Sequence, residues 1–212
     1  MEKVDTSNIE SWPEDVFMGF AEISEDGKLD ILSSKEREEY YGFKNPKRKA
    51  EFLSARYLFH ALLNEMNLTH NEIEILKEST GKPYAIYNGE TIHVSFSHSP
   101  EKVFCAISHR FNIGLDVEHT NRTINKAVVK RILNENEWNV VGEEDPIKLW
   151  TIKEAAVKCL GTGLRTNLKD LTIVKKGKKR FSVRFNNENM FEICNFKQSD
   201  HQIALAYQSK QI

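Results

Sequence analysis

Cysteine is scarce in this sequence: Cys105, Cys159 and Cys194 are the only three, odd in number and far apart. That excludes a disulfide framework and a zinc ribbon, which need paired or closely spaced cysteines, and leaves all three as small buried hydrophobes. Long apolar runs are missing as well, with nothing approaching the roughly 18 residues of a membrane span. The polar, acidic stretch Met1 to Glu14 carries neither the cationic nor the apolar region of a secretion signal. A soluble, cytoplasmic protein with no membrane partner is expected. Excess charge of either sign is also absent: 30 Lys and Arg stand against 31 Asp and Glu, a net charge of −1. Global attraction to nucleic acid is therefore not expected. Two local basic clusters remain, Lys44, Lys47, Arg48 and Lys49, and Lys175, Lys176, Lys178, Lys179 and Arg180. The second reads as a solvated hairpin tip around Gly177. The first precedes an amphipathic helix, where a small anion such as phosphate could be held.

What is there suits a chain of one large domain or two small ones: 212 residues, 40% hydrophobic and 29% charged. Period-two segments predict strands over 17–23, 73–77, 92–96, 103–108 and 113–118, and later near 171–174, 181–185, 191–196 and 203–208. Helices are predicted over 33–41, 47–64, 125–133, 135–141 and 147–160. Tyr87-Asn88-Gly89-Glu90 is a hairpin signal. The order strand, helix, strands thus occurs twice. Phe96, Ser99, Val103 and Ala106 line up with Phe196, Ser199, Ile203 and Ala206, and Tyr87–Glu90 resembles Phe185-Asn186-Asn187-Glu188. The fold class expected is α+β, built as two similar halves, 1–110 and 111–212, joined near Arg110–Asn112. A cleft between such halves is a natural ligand site.

Two stretches carry the chemistry. In Gly114-Leu115-Asp116-Val117-Glu118, a strand would point Asp116 and Glu118 the same way. Two like charges on one face of an interior strand repel unless a cation or lysine neutralises them. In Trp150 to Lys158, a helix stacks Trp150, Glu154 and Lys158 in one stripe. Where strand and helix meet, three carboxylates and an ammonium converge: a hard-cation site, Mg²⁺ or Mn²⁺, beside a phosphate-directed lysine. The alternatives are solvated strand acids and an ordinary amphipathic helix with one Glu–Lys pair. Ser95-Phe96-Ser97-His98-Ser99 brings phosphate-binding hydroxyls and an imidazole together at a strand end; no G-x-S-x-G elbow supports a protease. Gly161 is a candidate left-handed helix cap.

In this order, Gly81-Lys82-Pro83, the Ser95–Ser99 segment, Gly114–Glu118 and Trp150–Lys158 with Gly161-Thr162-Gly163-Leu164 resemble the 4′-phosphopantetheinyl transferases, surfactin-synthetase-activator type. The resemblance spans about residues 35 to 164; Ser95 departs from the asparagine usual there. It implies a pseudo-twofold pair of α+β halves, the first contacting the nucleotide and the second carrying metal and catalytic residues. It implies transfer of the phosphopantetheine arm of coenzyme A to a serine of an apo acyl or peptidyl carrier protein, releasing adenosine 3′,5′-bisphosphate. By the same resemblance Asp116, Glu118 and Glu154 hold Mg²⁺, and Glu154 acts as general base directly or through water. Lys158 then stabilises the leaving phosphate, and Lys153 orients phosphate or the metal carboxylates. Gly81, Lys82, Pro83, Ser97, His98 and Lys158, with Lys47 and Arg48 (or Lys35), hold the nucleotide. Glu137 matches a glutamate sometimes assigned as an auxiliary base. An acidic carrier would meet Lys126, Val129, Lys130 and Ile132, and a monomer is expected because the second half replaces a second copy. The rival readings are a module that binds coenzyme A or a carrier without chemistry, and an RNA-binding protein using Lys175–Arg180.

Overall fold

A computed structural model describes residues 1–68, 73–177, 180–186 and 189–209. The first half opens with a two-residue strand, β1 (Glu2–Lys3), and β2 (Val16–Glu22), followed by helices α1 (Ser34–Gly42) and α2 (Pro46–Glu65). Strands β3 (Leu76–Lys77), β4 (Pro83–Tyr87), β5 (Glu90–His98) and β6 (Lys102–Ser108) complete it. The second half runs β7 (Phe111–His119), α3 (Lys126–Ile132), α4 (Glu135–Val141), α5 (Pro146–Leu160), β8 (Leu171–Lys175), β9 (Phe181–Phe185), β10 (Asn189–Gln198) and β11 (His201–Ser209).

Local chemistry sets the helix ends. Asn45 accepts a hydrogen bond from the Lys47 amide, with Pro46 in the first turn of α2. Asp145 and Pro146 start α5 in the same way, and Gly161 ends it at φ 80°, a left-handed cap a side chain would disfavour. In the β4–β5 turn Asn88 and Gly89 both take positive φ, 49° and 82°, as a two-residue hairpin requires.

The strands form two antiparallel sheets, ordered β1-β2-β6-β5-β4-β3 and β7-β11-β10-β9-β8. Without the short β1, each strand of the first sheet has a counterpart five places later in the second. Helix α2 covers the first sheet and α5 the second, each over its own core. The internal similarity read from sequence falls on equivalent hairpins: Asn186 takes φ 48°, matching Asn88. Asn187 and Glu188 of that turn lie outside the described residues, as do Lys178 and Lys179 of the second basic cluster. Of the remainder, Lys175 pairs with Glu144 and Lys176 with Glu192.

A third core lies between the sheets. Met18, Phe20, Phe104 and Ala106 pack there against Ile113, Leu115, Val117, Ile203 and Leu205. Asp15 secures the joint by accepting hydrogen bonds from Ser108 Oγ (2.7 Å) and from the His109 and Arg110 amides (2.8 Å each). The fold is α+β with two similar halves. One segment differs from expectation: of 73–77 only Leu76–Lys77 pairs as a strand, because Ile73 and Ile75 turn into the α2 core instead.

Candidate active site

The site begins with alternation along β7. Ile113, Leu115 and Val117 face the inter-sheet core, so Gly114, Asp116 and Glu118 face the opposite way, towards α5. Gly114 allows the close approach: a Cβ there would stand 2.2 Å from the Ala155 carbonyl oxygen and 2.2 Å from the Cys159 nitrogen. The helix backbone thus rests on the strand, and Glu154 and Lys158 come to the acids of β7.

Lys158 Nζ donates to Asp116 Oδ1 at 2.7 Å and to the Leu115 carbonyl at 2.8 Å, with Ser97 Oγ at 3.3 Å. Asp116 is buried, and its second oxygen, Oδ2, has no hydrogen-bond partner among the described residues. Glu118 is paired with Arg122, whose guanidinium lies 5.3 Å from the Trp150 ring. Burial, and then the charge of Asp116, push the carboxyls of both Glu118 and Glu154 above the usual carboxylate range. Three carboxylates therefore share one partly desolvated space. Among the described residues, no three Asp, Glu, His or Cys side chains stand arranged to hold an ion, since Lys158 and Arg122 engage two of the acids. The donor chemistry nonetheless suits a hard divalent cation: oxygen only, crowded, and with one buried carboxylate oxygen unpartnered.

Lys158 also faces the first half. A cleft of ≈ 360 Å³ is lined by Arg48, Arg56, Gly81, Pro83, Phe96, His98 and Lys158 among others. His98, at the end of β5, is about half exposed, 3.9 Å from Glu51. Burial lowers its pKa, and among the smaller effects Arg48, Lys158 and Lys47 act in the same direction while Glu51 opposes them. The cleft thus gathers cations from α2 and α5, with Glu39 and Glu51 as the acids of its lining. Gly81 takes φ +91° in the turn that delivers Pro83 to its rim. A neighbouring pocket of ≈ 280 Å³ shares Gly81, Pro83, Phe96 and Lys158.

Several expected roles do not survive the geometry. Lys153 is fully buried and bonded to Glu137, to the Leu168 carbonyl (2.9 Å) and to the Leu171 carbonyl, so it cannot meet a phosphate or the metal carboxylates. Glu137 is equally enclosed, accepting from the Ile173 and Asn134 amides at 2.6 and 2.8 Å, and cannot serve as a base. Ser97 lines the cleft and also joins the halves: its hydroxyl accepts from the Val117 amide at 3.1 Å, and Ser95 does the same for the Leu115 amide at 2.8 Å. The Lys82 stem lines the ≈ 280 Å³ pocket, while its ammonium is engaged by the side chain of Asn112 and by the Cys159 carbonyl at 2.5 Å. Val129 and Ile132 lie in the α5 core, leaving Lys126 and Lys130 on the exposed face of α3. Lys35 pairs with Glu74 at 3.7 Å. Sequence reasoning missed Arg56 and Arg122. Arg56 is buried, 2.6 Å from Glu36 and 4.0 Å from the Phe52 ring centroid; its one signal was a lone cation on the apolar face of α2. Arg122 stands four residues after Glu118, a spacing that means little outside a helix.

Comparison with known proteins agrees with this geometry. Residues 112–207, which carry β7 and α5, match the family model of the 4′-phosphopantetheinyl transferase superfamily. The chain is 28% identical over 157 residues to the 4′-phosphopantetheinyl transferase gsp of Aneurinibacillus migulanus, covering 67% of this chain and 62% of that protein. It is 26% identical over 144 residues to the 4′-phosphopantetheinyl transferase HetI of Nostoc sp., covering 63% and 61%. A holo-[acyl-carrier-protein] synthase of Staphylococcus haemolyticus is 32% identical over 76 residues, 32% of this chain and 64% of that one. The chain spans less than two thirds of the length of these curated relatives. Over that second half the chain is similar to the 4′-phosphopantetheinyl transferase superfamily.

Proposed function

We propose that this chain is a 4′-phosphopantetheinyl transferase, which transfers the 4′-phosphopantetheine group of coenzyme A to a serine hydroxyl of an apo acyl or peptidyl carrier protein, releasing adenosine 3′,5′-bisphosphate. The observation that carries the reading is the junction of β7 and α5, where Asp116, Glu118, Glu154 and Lys158 meet beside a cationic cleft. The division of labour follows: 1–110 holds the nucleotide, 111–212 carries the chemistry, and the reaction takes place between them.

Asp116, Glu118 and Glu154 would hold Mg²⁺ (or Mn²⁺), which when bound neutralises the diphosphate and polarises the phosphorus under attack. Glu154 takes the proton of the carrier serine, either directly or through water. The serine oxygen forms a bond to the phosphorus that bears the pantetheine arm, and the bond from that phosphorus to the nucleotide's bridging oxygen breaks. Lys158 stabilises the charge that develops on the departing phosphate. Arg48, Lys47 and His98 hold the nucleotide's phosphates from the α2 side, with Gly81 and Pro83 shaping the cleft. An acidic carrier would approach the exposed cations of α3, Lys126 and Lys130. A cytoplasmic enzyme working as a monomer is part of the same proposal, the second half taking the place of a second copy; no described helix is long and apolar enough to cross a membrane.

The test is to incubate the protein with coenzyme A, Mg²⁺ and a panel of apo-carriers, then weigh each carrier by mass spectrometry. Gain of one phosphopantetheine group supports the reading. No gain on any carrier of fatty-acid, polyketide or peptide type would sink it.

A further inference from the structure

Three side chains of the first half supply hydrogen bonds that the active-site elements of the second half lack. β7 is the edge strand of its sheet, so the Leu115 and Val117 amides have no strand partner on that side. Ser95 and Ser97 take them, at 2.8 and 3.1 Å, and these two amides bracket Asp116. The third is Lys82. It reaches from the turn before β4 to the Cys159 carbonyl, in the last turn of α5, where carbonyls have no helical partner. Cys159 directly follows Lys158.

The contact is built from several sides. Asn112, on β7, donates to the same Cys159 carbonyl at 2.8 Å and accepts from Lys82 through its other amide atom. Cys159 Sγ lies 3.2 Å from the Asn112 carbonyl. Gly161 leaves the space Lys82 occupies, since a Cβ there would come 2.9 Å from Lys82 Cδ. A cation at the negative end of the α5 dipole is favourably placed, although burial lowers the ammonium's pKa.

We infer that Lys82 is a positioning residue, holding the last turn of α5 against β7 so that Lys158 stays registered on Asp116, rather than a ligand of the nucleotide. The inference rests on the transferase reading above for its kinetic and coenzyme A readouts. The positioning itself is a property of the fold and is measurable without a carrier.

The experiment compares wild type with Lys82→Met, which keeps the aliphatic stem and removes the donor. Two readouts need no turnover: calorimetric affinity for coenzyme A, and amide hydrogen exchange in the last turn of α5. Lys82→Met is expected to keep coenzyme A affinity within about twofold while exchange at Cys159–Gly161 speeds up. In the transfer assay kcat is expected to fall about 10²-fold, the scale of a misplaced catalytic group, with KM for coenzyme A unchanged. A tenfold or greater loss of coenzyme A affinity with kcat preserved would overturn the inference in favour of direct contact. Unchanged exchange in α5, or a lower melting temperature with full kcat per folded molecule, would overturn it as well. Should Lys82→Met not fold, Asn112→Ala removes the second donor to the same carbonyl and is judged by the same outcomes. A wild type that binds coenzyme A yet modifies no carrier sinks the transferase reading, while the exchange result still decides the role of Lys82.

Discussion

Lys158 and Asp116, on different elements, form a 2.7 Å ion pair that is also anchored to backbone, because the same ammonium donates to the Leu115 carbonyl. The lysine is therefore fixed in place instead of swinging on a long stem, and Asp116 keeps Oδ2 uncommitted. On the proposed reading, that positive charge would meet the departing phosphate and the uncommitted carboxylate oxygen the divalent ion. The arrangement exists because β7 alternates strictly and because Gly114 admits the helix backbone.

Replacing Glu154 by Gln is expected to separate activity from stability. Removing the base should lower transfer by about 10²- to 10⁴-fold. The folded-state pKa of Glu154 is raised, so ionising it at neutral pH costs folding energy, which is recovered only as pH falls into the carboxylate range. The amide escapes that cost, and thermal melts at neutral pH should show a midpoint no lower than wild type. A variant that retains activity would show that the proton goes elsewhere.

Gly114→Ala should damage both. The added methyl meets α5 backbone at 2.2 Å, and backbone cannot rotate away as a side chain can. Overpacking of this kind costs about 1–3 kcal/mol or more. Urea titration should show the loss, and transfer should fall as α5 lifts from β7. An alanine variant with wild-type midpoint and rate would mean that the helix does not lie on the strand.

The Lys153–Glu137 pair is expected to be structural. Removing one partner strands a buried charge, so Lys153→Met should destabilise the fold by about 3–5 kcal/mol. Replacing both with apolar residues should recover much of that loss. Chemical denaturation of the single and double variants reads this directly. Activity per folded molecule should hold in the double variant, and a large loss there would return Lys153 to the active site.

Histidine burial gives the fold an acid limit. Burial holds His60 and His201 below the usual imidazole value. Between that lowered value and about 6.5, the unfolded chain binds more protons than the folded one. Stability should thus rise with pH through this window and be lost as pH falls below about 6.5. His60→Gln should flatten the slope between pH 5 and 7 in thermal melts; an unaltered slope would contradict the assignment.

The parts legible in sequence were those set by short-range geometry. Asp116 and Glu118 share a face because they are two apart on a strand, and Glu154 and Lys158 because they are four apart on a helix. The doubled strand order was legible for a similar reason, since equivalent hairpins repeat their turn residues at Asn88 and Asn186. What the sequence does not show depends on distant partners. Lys153 and Glu154 are neighbours in sequence but about a third of a helical turn apart in direction. Only the position of Glu137, on another helix, decides that Lys153 faces the core. Nothing near Ser97 or Lys82 in the sequence points to the groups they bond, the Val117 amide and the Cys159 carbonyl, which are backbone groups far along the chain. No side-chain motif announces a backbone acceptor.

The central claim is that acids from β7 and α5 bind one divalent ion together. Electron paramagnetic resonance titration of Mn²⁺ in the presence of coenzyme A tests it most directly, comparing wild type with Asp116→Asn. The account expects a single bound ion in the wild type and loss of that binding in the variant. Uptake that is absent from the wild type, or unchanged by removal of the Asp116 charge, would contradict it.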